Sequence, residues 1–214
     1  MTSLASVTLE VADLTAAEQF YAAAFALGAR IGLRPAQAPT TGFRGFALSI
    51  TVAQPADVDG FTRSALDAGA TSLRPAEKSL WGYGSVVQAP DGTIWKLATS
   101  AKKDTGPVSR EIGALVLLLG VEDVKASKRF YAEQGLTVAK SFGGKYVEFA
   151  ADASSPVQLA LYKRRGLAKI AGLPEAGSGS HRIVLGGTGR SFTDPDGFGW
   201  EAPVAAGAPT PDRG

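Results

Sequence analysis

Apolar and polar residues alternate strictly through SVTLEV, with Val7, Leu9 and Val11 set against Ser6, Thr8 and Glu10. A period of two predicts a strand with one buried face. The spacing then becomes helical: Leu14, Ala17, Phe20, Tyr21, Ala24 and Phe25 form one stripe. Asp13 or Thr15 caps this helix, the latter with Glu18 in a Thr-x-x-Glu capping box. ARIGLR reads as a second strand, and FALSITV alternates again, Leu48, Ile50 and Val52 against Ala47, Ser49 and Thr51. PADVDGFTRSALDAGA is a helix opened by proline and stopped by Gly69. GSVVQA and TIWKLAT pair as a hairpin across Pro90-Asp91-Gly92, where Gly92 supplies the positive φ of the turn.

The second half predicts a strand ALVLLLGV, a helix VKASKRFYAEQ, and strands LTVAKSF, KYVEFAA, VQLALYK and HRIVLGG. A closing hairpin follows around Pro195-Asp196-Gly197. The two halves repeat each other. VADLTAAEQFY matches VEDVKASKRFY, and the Pro-Asp-Gly frames with a tryptophan three residues on recur in the same order. A repeat of this length is the mark of a duplicated domain. It divides the chain into 1–100, a polar linker at 101–111 containing Gly-Pro, a second domain at 112–203, and a frayed tail at 204–214. The copies are unequal. The first lacks two strands between ARIGLR and FALSITV, and the second lacks the helix after HRIVLGG. Strands joined by helices on one side predict an α+β class, with curved sheets, helices outside and a concave face inside.

Composition narrows the function classes. The 214 residues carry a net charge of +2 and no cysteine, which excludes disulfides, thiolate metal sites and cysteine nucleophiles. Lys102-Lys103 and Lys163-Arg164-Arg165 are short basic runs without interleaved aromatics, so no nucleic-acid partner is expected. No apolar run reaches bilayer length and the N-terminus has no signal-peptide pattern, so no membrane partner and a cytoplasmic location are expected. There is no Gly-x-Ser-x-Gly, P-loop or Rossmann fingerprint. His181 is the single histidine, so a site with two imidazoles needs a second chain; monomer and homodimer both remain open.

The strand running into Val-x-Asp-Leu/Val, the helix ending Phe-Tyr and the closing Asp-Pro-Asp-Gly-x-x-Trp-Glu together resemble the vicinal oxygen chelate superfamily. That group includes glyoxalase I, fosfomycin and bleomycin resistance proteins and extradiol dioxygenases. The resemblance covers nearly all of residues 4 to 203. It implies βαβββ modules, two per half, whose paired sheets wrap cup-shaped cavities. It also implies a divalent metal held by His or Glu side chains on the first and last strands of paired modules, acting as a Lewis acid. The corresponding positions here are Ser6, Ala47 and Lys96 in the first half. In the second they are Val116, Ala160, His181 and Glu201, with Glu148 as a spare carboxylate. Only His181 and Glu201 are ordinary ligands, short of the three protein groups a catalytic metal needs.

The leading expectation is therefore a glyoxalase-like binder of a small organic molecule with no cofactor, in the manner of the metal-free antibiotic-binding members, for which sequestration is one purpose. The alternative keeps a divalent metal on His181 and Glu201 for lyase, isomerase or dioxygenase chemistry, with Glu201 as a base. Candidate ligand-binding residues are Ser6, Thr8, Ser49 and Lys96 on the polar strand faces and Arg44 at the rim. Trp81 and Tyr83 lie on the glycine-flanked stretch SLWGYG, and Tyr146, Tyr162 and His181 are the candidates of the second half. Small hydroxyls around the Lys96 cation suit a ligand with an acidic or carbonyl group.

Overall fold

The computed structural model describes residues 3–151 and 155–203; the expected tail at 204–214 lies outside the described residues. In the first half β1 (Leu4–Val11) leads to α1 (Leu14–Ala24), β2 (Gly32–Pro35), β3 (Thr40–Gly42) and β4 (Phe46–Thr51). After these come α2 (Pro55–Asp67), β5 (Thr71–Ser79), β6 (Gly82–Gln88) and β7 (Ile94–Thr99). The second half runs β8 (Ala114–Val121), α3 (Val124–Glu133), β9 (Val138–Phe142), β10 (Tyr146–Phe149) and β11 (Gln158–Lys163). It closes with α4 (Arg164–Ala171), β12 (Gly177–Gly179), β13 (Ile183–Gly187), β14 (Phe192–Thr193) and β15 (Gly199–Glu201). The fold is α+β, with curved mixed sheets and helices against their outer faces. Among the described residues no helix is long and apolar enough to cross a membrane.

Local chemistry explains the element boundaries. Asp13, not Thr15, is the N-cap of α1: its Oδ1 accepts from the Ala16 N–H at 3.0 Å. Asp123 does the same for α3, accepting from Lys125 and Ala126, and those backbone donors hold its carboxyl below the usual range. The Phe-Tyr and Pro-Asp-Gly repeats turn out to be two ends of one latch. The Tyr21 hydroxyl donates to Asp91 at 2.8 Å, and the Tyr131 hydroxyl donates to Asp194 at 2.5 Å. Each tyrosine ring lies 5.7 Å from the tryptophan of its hairpin, Trp95 or Trp200, at nearly the same tilt. Burial raises both phenols well above their ordinary pKa and so keeps them as donors. The second copy has Asp194 where the first has Ala89. Asp196 is thereby released to accept from the Glu122 N–H and the Ser127 hydroxyl at the start of α3.

These latches tie helix to hairpin inside each half, but the sheets join the halves to each other. The eight-stranded sheet runs β5-β6-β7-β4-β8-β11-β10-β9, so β4 of the first half meets β8 of the second, antiparallel, at its centre. The five-stranded sheet runs β14-β15-β13-β1-β2 and likewise centres on an antiparallel pair from both halves, β1 with β13. The expected closure of two modules within each half is therefore replaced by modules exchanged between halves. Residues 101–111 are exposed as expected, yet pinned. Buried Gln54 accepts from the Thr105 and Gly106 N–H groups, and buried Asp57 accepts from that of Ser109.

Four elements were absent from the sequence reading: β3 and β12, which form a two-stranded sheet with each other, and β5 and α4. β5 is polar, largely exposed, interrupted by Pro75 and irregular in register, all marks of an edge strand without alternation. It makes SLWGYG a tight turn, with Leu80 and Trp81 alone between β5 and β6. α4 begins inside the basic run Lys163-Arg164-Arg165, and its Leu167, Ala168 and Ala171 are buried against the concave face of the eight-stranded sheet. β8, apolar on both faces, has its outer set in the main core while Leu118 packs in the cluster beneath α4. Part of the cup is therefore filled by a helix.

Candidate functional site

The concave face of the eight-stranded sheet is built from residues in register across six strands. Arg74 on β5 pairs with Val86 on β6, Val86 with Lys96 on β7, and Lys96 with Ser49 on β4. Ser49 faces Val116 on β8, which faces Gln158 on β11. The alternation that buries Trp95 and Leu97 behind the sheet sends Lys96 to the opposite face. A second row, Ala47–Leu118–Ala160, lies two residues away and is covered by α4. The helix seals the apolar row and leaves the Lys96 row open.

Above that open row is a cavity of about 260 Å³, lined by Lys96, Arg74, Glu77, Trp81, Val86 and Ile170 among others. Gly84 keeps its wall bare: a Cβ there would come within 2.8 Å of the Leu97 carbonyl oxygen. Lys96 is half-buried and has no ion-pair or hydrogen-bond partner among the described residues. Desolvation by burial pushes its pKa below the ordinary lysine value. Ser49, 6% exposed, lies beside it. Arg74 donates from Nη2 to the Lys169 carbonyl at the end of α4, 2.8 Å away. Trp81 is 84% exposed at the cavity rim.

Other candidates are placed elsewhere. The Tyr83 hydroxyl bonds Asp59 of α2 at 2.8 Å, on the helical side of the sheet; the cavity touches this residue, but its phenol points away. Arg44 is a staple, not an anion contact. Its guanidinium donates to the Asp91 carbonyl, and burial lowers its pKa. Tyr146 and Tyr162 pack edge to face at 4.9 Å on the far wing of the sheet, where the Tyr146 hydroxyl donates to Glu148 at 2.8 Å. Burial and Glu148 raise the Tyr146 pKa. Desolvation pushes Glu148 up, but Tyr146, Lys140 and Gln158 outweigh it and hold the carboxyl below its ordinary value.

Ser6 and Thr8 lie on the concave face of the five-stranded sheet with Glu201, away from Lys96. That face is glycine-lined: a Cβ at Gly32 or Gly186 would run into the Thr8 or Ser6 hydroxyl. Glu201 is tied to Arg34 at 2.8 Å, and Arg34 also holds Glu10. The bond to Glu201, then that to Glu10, raises the Arg34 pKa against the opposing pull of burial.

The residues do not fit the metal that the resemblance implies. Glu201 faces Gly186 on β13, whereas His181 lies outside that strand, before Arg182, whose φ of 57° breaks the extended run. The His181 ring stacks on Phe198, and both its nitrogens face backbone oxygens, of Arg44 at 2.5 Å and Asp196 at 3.1 Å. Ser6 and Lys96 belong to different sheets, and Ala47 and Ala160 lie under α4. The Lys96 row contains no His, Asp or Glu; the row beneath α4 continues from Ala160 to Glu148 on β10, which is engaged by Tyr146, Lys140 and Gln158, and no cluster of three His, Cys, Asp or Glu groups occurs among the described residues.

The site includes residues the sequence did not suggest: Arg74 and Glu77, on a strand without alternation; Ile170, on the unforeseen helix; and Gln158, one pleat from the expected Ala160. The helical spacing of Leu167, Ala168 and Ala171 was the one local signal available.

No protein-family model matches the sequence, and no curated protein matches it. The fold does match solved structures. Maize glyoxalase I superposes with a TM-score of 0.61 at 15% identity, over 94% of this chain and 91% of that one. A point variant of the maize enzyme gives 0.59 at 15% identity, over the same shares. A candidate dioxygenase from Bacillus subtilis gives 0.53 at 11% identity, over 86% of this chain and 69% of that one. The chain has the vicinal oxygen chelate fold, as its repeated motifs led one to expect. At these identities the likeness concerns architecture, and chemistry must be argued from the site.

Proposed function

We propose that the protein binds a small organic molecule carrying an acidic or carbonyl group in the cup of its eight-stranded sheet, without a metal in that cup. The observation that carries this reading is Lys96, a half-buried ammonium without a partner among the described residues, at the floor of a cavity. A lysine placed so costs stability, and a ligand group that hydrogen-bonds it would recover that cost. Arg74 adds a second cationic end, and Trp81 and Ile170 add apolar wall. Sequestration of the ligand fits such a site as well as turnover does. The metal-dependent lyase, isomerase or dioxygenase reading draws no support from His181 and Glu201, each of which is engaged elsewhere.

Thermal shift with a panel of small carboxylates and aldehydes tests the reading. A ligand at a hundred times its Kd stabilises by about 2.7 kcal/mol, so wild type should gain several degrees and Lys96→Met nothing. Equal shifts in both proteins, or none in either, would remove the site.

A further inference from the structure

Lys140 has a carboxylate partner in Glu148, whereas Lys96 has neither an acid nor a hydrogen-bond acceptor among the described residues. An ammonium that loses water without gaining an acceptor is displaced toward the free amine. A free amine in a cavity is a nucleophile toward carbonyl carbon. Its surroundings suit that role. The Ser49 hydroxyl, on the adjacent strand in the same row, has no side-chain hydrogen bond among the described residues. It is therefore free to donate to a carbonyl oxygen. Arg74 lies two strands to the other side, roughly 10 Å across the sheet. It uses Nη2 on the Lys169 carbonyl and retains Nη1 for an acid group. The space between the two cationic ends takes a molecule of a few carbon atoms.

We propose that Lys96 is an imine-forming amine whose substrates are small aldehydes or ketones bearing an acidic group, with Arg74 holding the acid and Ser49 the carbonyl oxygen. This rests on the reading of the cup as the ligand site. The Nζ lone pair forms a bond to the carbonyl carbon while the C=O π pair moves to oxygen, which takes a proton. Nitrogen gives up one proton as the carbinolamine forms. Its lone pair then makes the C=N bond as the hydroxyl, taking a second proton, leaves as water and nitrogen loses its other proton. One amine and one carbonyl give one imine and one water, with no change of oxidation state.

Glyoxylate and cyanoborohydride test this on the intact chain, since the hydride reduces the imine carbon and fixes the adduct as a secondary amine. Mass spectrometry should find one adduct per chain, mapped to the Lys96 peptide and lost in Lys96→Met. Glycolate, the same acid without the carbonyl, should slow the labelling of wild type, a readout that stands even if the variant fails to fold. Suppose glycolate raises the wild-type melting temperature in a Lys96-dependent way, yet label spreads evenly over the lysines. The imine is then wrong and the binding site survives. Absence of both glycolate stabilisation and preferential label at Lys96 overturns the two together.

Discussion

Lys96 and Glu201 each follow the tryptophan of a Pro-Asp-Gly hairpin, and each projects from the concave side of its sheet. Their surroundings are opposite. Glu201 lies on a strand of three residues; its side chain is 58% exposed and already paired with Arg34. Lys96 lies on a full strand flanked by β6 and β4, under a cavity, with no partner among the described residues. By sequence, the retained carboxylate made Glu201 a metal ligand in the alternative reading, and Lys96 was the charge partner in the leading one. In the structure that carboxylate is spent on an arginine, and the unsatisfied group is the lysine. A satisfied charge stabilises and an unsatisfied one is available, so the residue that departs from the family pattern is the better functional candidate.

The comparison can be broken at three places. The largest expected effect is at the latches. Tyr131→Phe takes the donor from Asp194, which is 5% exposed and whose carboxyl is already raised above its ordinary pKa by burial. It should cost about 2–3 kcal/mol in urea unfolding, against about 1 kcal/mol for Tyr21→Phe, whose acceptor Asp91 is half-buried. Equal losses would mean that the two halves are held alike.

Next comes the ion-paired side. Arg34→Met strands the Glu10 carboxylate, whose side chain is only 10% exposed. A loss of about 1–2 kcal/mol is expected once the partial exposure of Arg34 is allowed for, and Glu201→Gln should stay within about 0.5 kcal/mol. A larger effect at Glu201 than at Arg34 would return weight to the five-stranded cup.

The smallest effect has the opposite sign. Lys96→Met should gain about 1 kcal/mol at neutral pH, or about 2–4 °C in Tm for a chain of this size. Lys96 has a lower pKa folded than unfolded, so the folded chain binds fewer protons between the two values and wild-type stability rises with pH through that window. The advantage of the methionine variant should therefore be full below the lowered pKa and shrink as pH climbs toward the ordinary lysine value. A variant less stable than wild type at neutral pH would show that Lys96 is paired after all.

Much of the architecture was legible because its causes are local. The alternation of SVTLEV, the Asp13 and Asp123 caps, Pro55 opening α2 and the glycine turns at Gly69 and Gly92 each follow from a few neighbouring residues. The uneven repeat was legible in part: β13 passes to β14 without a helix, but in the stretch read as strandless between β2 and β4, Thr40–Gly42 forms β3. β5 and α4 were not legible, one because an edge strand need not alternate, the other because its basic first turn conceals a short apolar face. Of the site, Lys96, Ser49 and Trp81 were named from the sequence. Arg74 and Gln158 required the register, since a slip of two residues exchanges the open row for the one beneath α4.

Taken alone, the sequence determined most of the elements, their order, the duplicated frame and the fold it resembles, because periodicity, capping and turn chemistry act over a few residues. Only the tertiary structure decided which strands became neighbours. β4 took β8 and β1 took β13 across the halves, with each hydrophobic face covered by a helix and each latch closed within its own half. Strand partnership is a long-range choice, settled by burying all these faces together, and no local pattern encodes it. That choice set Glu201 beside Arg34 and left Lys96 in an open cup with no partner among the described residues.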